Sequence, residues 1–221
     1  MSTRSALLAG ATGLVGHHLL TQLLGDPRYT HVTVLARRPL ALTHDKLDVR
    51  TVDFAALGAD DVPAVDDVYC TLGTTIKKAG SQEAFRAVDQ HYTVAVARHA
   101  RQAGARGIAL CSSIGADPRA RQFYLRVKGD TERDITDLGF ESTHIFRPSL
   151  LLGHRTENRP GERVMTALAP LTTPILAGPL RRYRPIAADR LATAMVRSLA
   201  DATSGTQVYV HDRIAALARH A

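Results

Sequence analysis

Hydrophobic and polar positions switch repeatedly between a two-residue and a 3.6-residue period along the chain, and the switches predict a βα series. Arg4 to Ala9 is an apolar run of strand character, followed by a glycine-rich turn and a helical stretch ending near Leu24. Further strands are predicted at His31 to Ala36, Leu47 to Phe54 (weaker), Asp67 to Leu72, Gly107 to Ser112 and Thr143 to Phe146. Helical periodicity runs from Gln82 to Ala103, ended by Gly104, and from Arg119 to Leu138, closed by Gly139. Strand and helix alternating in this way imply a parallel sheet with right-handed crossovers.

After Pro148 the pattern changes. Prolines at 160, 170, 174, 179 and 185 punctuate short segments before a helix at Ala187 to Leu199, a strand at Gln207 to Val210 and a terminal helix at Ile214 to Arg219. The expectation is one α/β domain over residues 1–221. Its cofactor-binding core reaches to about residue 150, and a small C-terminal lobe, about 151–221, covers the substrate side.

The turn after the first strand reads Gly10-Ala11-Thr12-Gly13-Leu14-Val15-Gly16. Placed between a strand and a helix, it is where a dinucleotide pyrophosphate sits in a Rossmann-like, doubly wound sheet with helices on both faces. Gly10 allows a sharp turn, Gly13 a close approach of backbone to phosphate, and Gly16 close packing of the helix. The helix N-terminus offers N–H groups and a partial positive charge to an anion.

In this fold an acidic residue about twenty positions on binds the ribose 2′-hydroxyl of NAD. Here the second strand ends in Ala36-Arg37-Arg38-Pro39, with no carboxylate. An arginine there pairs with a 2′-phosphate, so NADP(H) is preferred over NAD(H); the alternative is two solvated arginines. Asp53 and Phe54 close the third strand, where they flank the adenine or where Asp53 serves as a turn residue.

Composition narrows the picture further. The chain has 221 residues and a net charge of +7, with a sequence pI of 9.8. The arginines are scattered, with no long basic run, which speaks against nucleic acid as partner. No apolar stretch is long enough to span a bilayer, so no membrane partner is expected. The opening apolar patch lacks a cleavage site, and the reading is a soluble, cytoplasmic protein. Cys70 and Cys111 lie in strand-like runs and read as reduced core residues, and no Cys/His spacing suggests a metal.

Tyr124 and Lys128 stand at i and i+4 of a predicted helix, on one face. A phenol with a reference pKa of about 10 becomes a useful acid when a neighbouring ammonium favours its ionised form. Upstream, Ser112-Ser113 ends a strand, the edge of an open α/β sheet where ligands bind. A serine there can hold a substrate carbonyl beside the tyrosine, although two such serines alone are usually turn residues or caps.

Together these residues resemble the short-chain dehydrogenase/reductase family: Gly10-x-x-Gly13-x-x-Gly16, then Ser112-Ser113, then Tyr124-x-x-x-Lys128. CTLGTT (70–75), AFRAVDQHY (84–92), SSIGAD (112–117), YLRVKG (124–129), FRPSLLLG (146–153) and RPGE (159–162) are similar to the atypical branch that contains the Tat-interacting-protein oxidoreductases. The resemblance implies Tyr124 as general acid, Lys128 as its partner and holder of the nicotinamide ribose, and Ser113, rather than Ser112, as the carbonyl-orienting group. It places Gly10, Thr12, Gly13, Leu14 and Val15 along the pyrophosphate and Arg37 at the 2′-phosphate. Leu72, Gly73 and Thr74 would lie along the cofactor, and Pro148, Leu150 and Leu151 near the nicotinamide. Where the family often carries an asparagine, the helix before the serine strand offers Asp89, His91 and Tyr92.

The implied activity is an NADP-dependent hydride transfer between nicotinamide and a small carbonyl or alcohol substrate. A non-catalytic NADPH sensor and an epimerase or dehydratase are the alternatives, and a homodimer stays open. Leu151 to Arg184 would line the substrate pocket, with Arg155, Arg159 and Arg163 facing either an anionic substrate or solvent.

Overall fold

The structure is a computed structural model describing residues 3–153, 178–200 and 203–219. Its strands, in chain order, are β1 (Arg4–Ala9), β2 (Tyr29–Ala36), β3 (Leu47–Thr51), β4 (Asp67–Cys70), β5 (Gly107–Cys111), β6 (Ser142–Phe146), β7 (Leu151–Leu152), β8 (Ile186–Ala187) and β9 (Gly205–Tyr209). Seven of them form a parallel sheet ordered β3-β2-β1-β4-β5-β6-β9, while β7 and β8 pair separately. The central strands read as unbroken apolar runs because both faces are covered: Ala6, Leu7, Leu8 and Ala9 of β1 are completely buried.

On one face, Val15, Leu19 and Leu23 of α1 (Leu14–Gly25) and Leu191, Met195 and Leu199 of α6 (Ala188–Ala200) share a core with Ala6 and Leu8. The opposite face packs Val94, Ala97 and Ala100 of α4 (Thr93–Gln102) and Ile135 of α5 (Phe123–Thr136) on Leu7, Val68 and Ile108. This is the doubly wound α/β sheet expected from the alternating pattern.

Several boundaries depart from the expectation. The single helix foreseen over 82–103 is three pieces: α3 (Gln82–Arg86), a π-helical stretch at Ala87–Tyr92, and α4. A π-turn inserts a residue without any glycine or proline to mark it. The helix expected from Arg119 starts at Phe123, because the Asp117-Pro118 backbone lies against Gly129 of α5: a Cβ on Gly129 would stand 2.2 Å from the Asp117 carbonyl carbon. β3 stops at Thr51, short of Phe54, and a one-turn helix α2 (Ile76–Ala79), unannounced in the sequence, follows β4.

The division of the chain near residue 150 does not follow the core. β9 is the seventh strand of the main sheet and α6 packs on α1, while α7 (His211–Arg219) packs on α6. The apolar faces of α6 and β9 need the sheet to bury them, so they belong to it rather than to a separate lobe. Arg155, Arg159 and Arg163 lie outside the described residues.

Candidate active site

The chain leaves β1 in one direction to β2 and β3, and runs in the other from β4 through β5 and β6. Where the winding reverses, the carboxyl ends of β1 and β4 open a crevice. Gly10 turns off β1 at φ +97°, and a Cβ there would collide with Thr71, 2.6 Å from its carbonyl carbon. The Thr71 hydroxyl lies 3.1 Å from the Ala9 carbonyl and 3.3 Å from that of Gly10, pinning the turn to the end of β4.

Helix α1 begins at this turn with Gly13 as N-cap, no side-chain cap and no acidic residue in its first turn. Its first N–H groups are thus left for an external anion. A Cβ on Gly13 would meet only the Gly10 carbonyl oxygen, at 3.2 Å, among the described residues, so the space over this residue is otherwise open and would be narrowed by a side chain. Thr12 is exposed and Leu14 half-buried, but Val15 and Gly16 are buried. Val15 therefore faces the core and can offer a ligand only its backbone. Leu14 also touches Gly153, where a Cβ would stand 2.8 Å from its Cδ1.

Arg37 and Arg38 are both exposed at the end of β2, and neither guanidinium has an acidic partner among the described residues. Asp53 takes the turn role: its Oδ1 accepts the Ala55 N–H at 2.9 Å. Phe54 is buried and stacks on Tyr92, ring centroids 6.2 Å apart, so its ring fills the core rather than an open adenine face.

The other half of the crevice gathers the chemistry-bearing groups. Lys128 of α5 is buried, and its Nζ lies 2.8 Å from Asp89 Oδ1 in the π-turn. The second Asp89 oxygen accepts the Thr74 N–H at 2.9 Å, just after β4. Gly73 sits over this pair, its Cβ position 3.5 Å from Asp89 Oδ1 and 3.9 Å from Lys128 Nζ. Burial alone would lower the Lys128 pKa, but the Asp89 carboxylate and the Tyr124 phenol outweigh it and hold the ammonium above its ordinary range. Tyr124, one turn earlier on α5, is 37% exposed and leans on Phe85 with ring centroids 5.6 Å apart. Leu72 is half-buried beside the same exit from β4.

The two serines divide. Ser112 is buried and donates its hydroxyl to Glu132 of α5, which also holds Arg147 through a two-pronged ion pair. Among the described residues the Ser113 hydroxyl makes only a long contact, 3.3 Å, to the Ile114 carbonyl, and the residue is half-buried. The Ile114 N–H donates to the Pro148 carbonyl at 2.9 Å, tying the serine loop to the end of β6. Pro148 is buried, and Leu151 enters β7 opposite Ile186. Burial pushes the Cys70 thiol up to about 12, which makes it an inert core group, and Cys111 is half-buried.

Three residues that build the site were not foreseen in these roles: Asp89, Glu132 and Arg147. Lone charged residues at positions destined for the interior are the only trace they leave in the sequence, and their partners are 15 to 39 positions away.

A family model described as NAD(P)H-binding matches residues 10–175. The mitochondrial protein FMP52 of Coccidioides immitis (strain RS) is 39% identical over 166 residues, covering 69% of this chain and 68% of that protein. Protein HTATIP2 of Rattus norvegicus is 37% identical over 168 residues, covering 73% and 69% respectively. Among solved structures, human epimerase family protein SDR39U1 with NADPH aligns with TM-score 0.64 and 20% identity over 93% of this chain and 74% of that one. MoeE5 in complex with UDP-glucose and NAD aligns with TM-score 0.72 and 20% identity over 92% and 74%. The expectation of a cytoplasmic protein is corrected by the fungal relatives, from Coccidioides immitis and Aspergillus niger among others, whose names are mitochondrial. That expectation rests on the lack of an apolar span and of a signal cleavage site, and both properties are shared by proteins of many compartments. Among the described residues no helix is long and apolar enough to cross a membrane.

Proposed function

The chain belongs to the NAD(P)H-binding family, within the atypical short-chain dehydrogenases/reductases, and from that premise we propose that it is an NADP-dependent oxidoreductase acting on a carbonyl or alcohol carbon. One observation carries the reading: a buried ammonium, Lys128, lies under Gly73 on the same helix face as the half-open phenol of Tyr124, at the carboxyl end of the sheet.

Pyrophosphate would be held by Gly10, Thr12, Gly13 and Leu14 with the backbone of Val15, Gly16 leaving room for the turn. Arg37 and Arg38 would meet the 2′-phosphate. NADPH, when bound, supplies the hydride that reaches the carbonyl carbon. Tyr124 gives its proton to the carbonyl oxygen, so that the product is the alcohol. Ser113, whose hydroxyl has no strong partner among the described residues, donates a hydrogen bond to that same oxygen. Lys128 stabilises the phenolate left behind and would donate to the ribose hydroxyls of the bound cofactor. Leu72, Gly73, Thr74, Pro148 and Leu151 would line the space for the nicotinamide.

The test is a spectrophotometric screen of NADPH oxidation against aldehydes, ketones and quinones, repeated with Tyr124→Phe. The expected result is turnover with at least one carbonyl class and a fall of about 10²–10⁴-fold in the variant, with NADPH binding retained. Binding without oxidation of any carbonyl would favour a sensor, and turnover surviving in Tyr124→Phe would move the proton donor elsewhere.

A further inference from the structure

We propose that Asp89 is the positioning residue of this site: its carboxylate fixes the Lys128 ammonium, clamps it to the Thr74 backbone, and cancels much of its charge as felt by Tyr124. This rests on the reading of Tyr124 and Lys128 given above.

Three observations carry it. First, the pair is direct and buried, 2.8 Å apart, with Asp89 1% and Lys128 7% exposed. Two buried charges at that separation are held only if each satisfies the other. Second, the carboxylate has two duties on two elements. One oxygen takes the ammonium on α5, and the other takes the Thr74 N–H after β4, so the lysine and the loop over it move together.

Third, the backbone is distorted to put Asp89 there. The residue sits inside the π-turn Ala87–Tyr92, and that turn loosens the regular carbonyl pairing. The carbonyls affected find side-chain hydroxyls instead. Thr131 Oγ1 of α5 lies 3.2 Å from the Asp89 carbonyl, and Thr93 Oγ1 lies 3.4 Å from the Val88 carbonyl. A regular helix through 82–103 would turn position 89 out of register with α5.

The charged and titratable groups that bear on Lys128 are Asp89 from the π-turn, Tyr124 from its own helix, Cys111 at the end of β5 and Cys70 in β4. Among the described residues, Asp89 is the one carboxylate in this set. Tyr124 therefore faces an ammonium already half-neutralised. Asp89 thus weakens the lysine's stabilisation of the phenolate while fixing the ammonium under Gly73.

The experiment is an ultraviolet difference titration of tyrosinate on the protein without cofactor, in which the step removed by Tyr124→Phe marks Tyr124. Asp89→Asn is expected to move that step down by about one pH unit, and Lys128→Met to move it up by a similar amount. The double variant Asp89→Asn/Lys128→Met is expected to lie within about 0.3 unit of the parent, because a nearly neutral pair has been replaced by a neutral one. A step unmoved in Asp89→Asn, or a double variant shifted as far as Lys128→Met, overturns the proposal. Should Asp89→Asn fail to fold, the comparison of the double variant with the parent decides alone, since removing both buried charges is tolerated better than removing one. The titration needs neither NADPH nor turnover. Loss of the oxidoreductase reading would show in the NADPH screen while this charge cycle stood.

Discussion

A Cβ on Gly16 would stand 2.0 Å from the carbonyl oxygen of Gly10. The first turn of α1 thus lies directly on the glycine turn, closed from behind by the Thr71 hydroxyl, 2.9 Å from the same Cβ position. Because the obstacle is backbone, a side chain cannot be accommodated by a rotamer change. Gly16→Ala is expected to lower stability by about 2–4 kcal/mol and to abolish NADPH binding, measured by chemical denaturation and by fluorescence titration. Unchanged binding would mean that the turn and the cofactor are not coupled.

Arg37 and Arg38 are both exposed at the end of β2, where the 2′-phosphate is proposed to lie. Replacing both with alanine is expected to weaken NADPH by at least about tenfold, the equivalent of about 1.4 kcal/mol, and to leave NADH within about twofold. Parallel fluorescence titrations with the two nucleotides check this. An equal loss for both would assign the arginines a general role rather than 2′-phosphate recognition.

Below the sheet, Asp67 is completely buried, with Arg4 Nη2 at 2.6 Å and the Tyr29 hydroxyl at 2.6 Å. Burial dominates and raises its pKa to about 6 in spite of both donors. The folded protein therefore holds a proton on Asp67 that the unfolded chain, near 3.8, releases. The stability this contributes is complete below about pH 4 and lost as pH rises through about 6, a change of about 3 kcal/mol. Asp67→Asn is expected to flatten that part of the curve, read by urea denaturation at pH 4 and pH 7.

Glu132 joins Ser112 and Arg147 across α5, β5 and β6. The hydrogen-bonded carboxylate holds the Arg147 guanidinium above its ordinary range. Glu132→Gln keeps the shape but loses the charge, and a cost of about 1–3 kcal/mol is expected. Turnover should fall as well, because the Ser113 loop hangs from the same strand end; denaturation and the NADPH assay read the two effects separately.

The sequence made the glycine turn legible because its constraint is local: Gly10, Gly13 and Gly16 lie within seven positions and each answers to its neighbours. Tyr124 and Lys128 were legible for the same reason, one helical turn apart. The Asp89–Lys128 pair was not, since a register change of one residue in the middle of an apolar helix leaves the hydrophobic period almost intact. Ser112 and Ser113 are adjacent and chemically identical; the family resemblance favours Ser113, but the physical reason, the capture of Ser112 by Glu132, is reached only through the fold. The two-residue pair β7–β8 carries too few positions for any period to register. Residues 151–221 were read as a lobe because proline density masks an ordinary helix and edge strand that follow it.

The reversal of winding between β1 and β4 has an engineering consequence. Everything expected to discriminate one nucleotide from another hangs on β2, while every proton-handling side chain hangs on β4, β5 or the helix after it. Nucleotide preference and turnover should thus be tunable as independent dials, with substitutions on either flank adding rather than interfering.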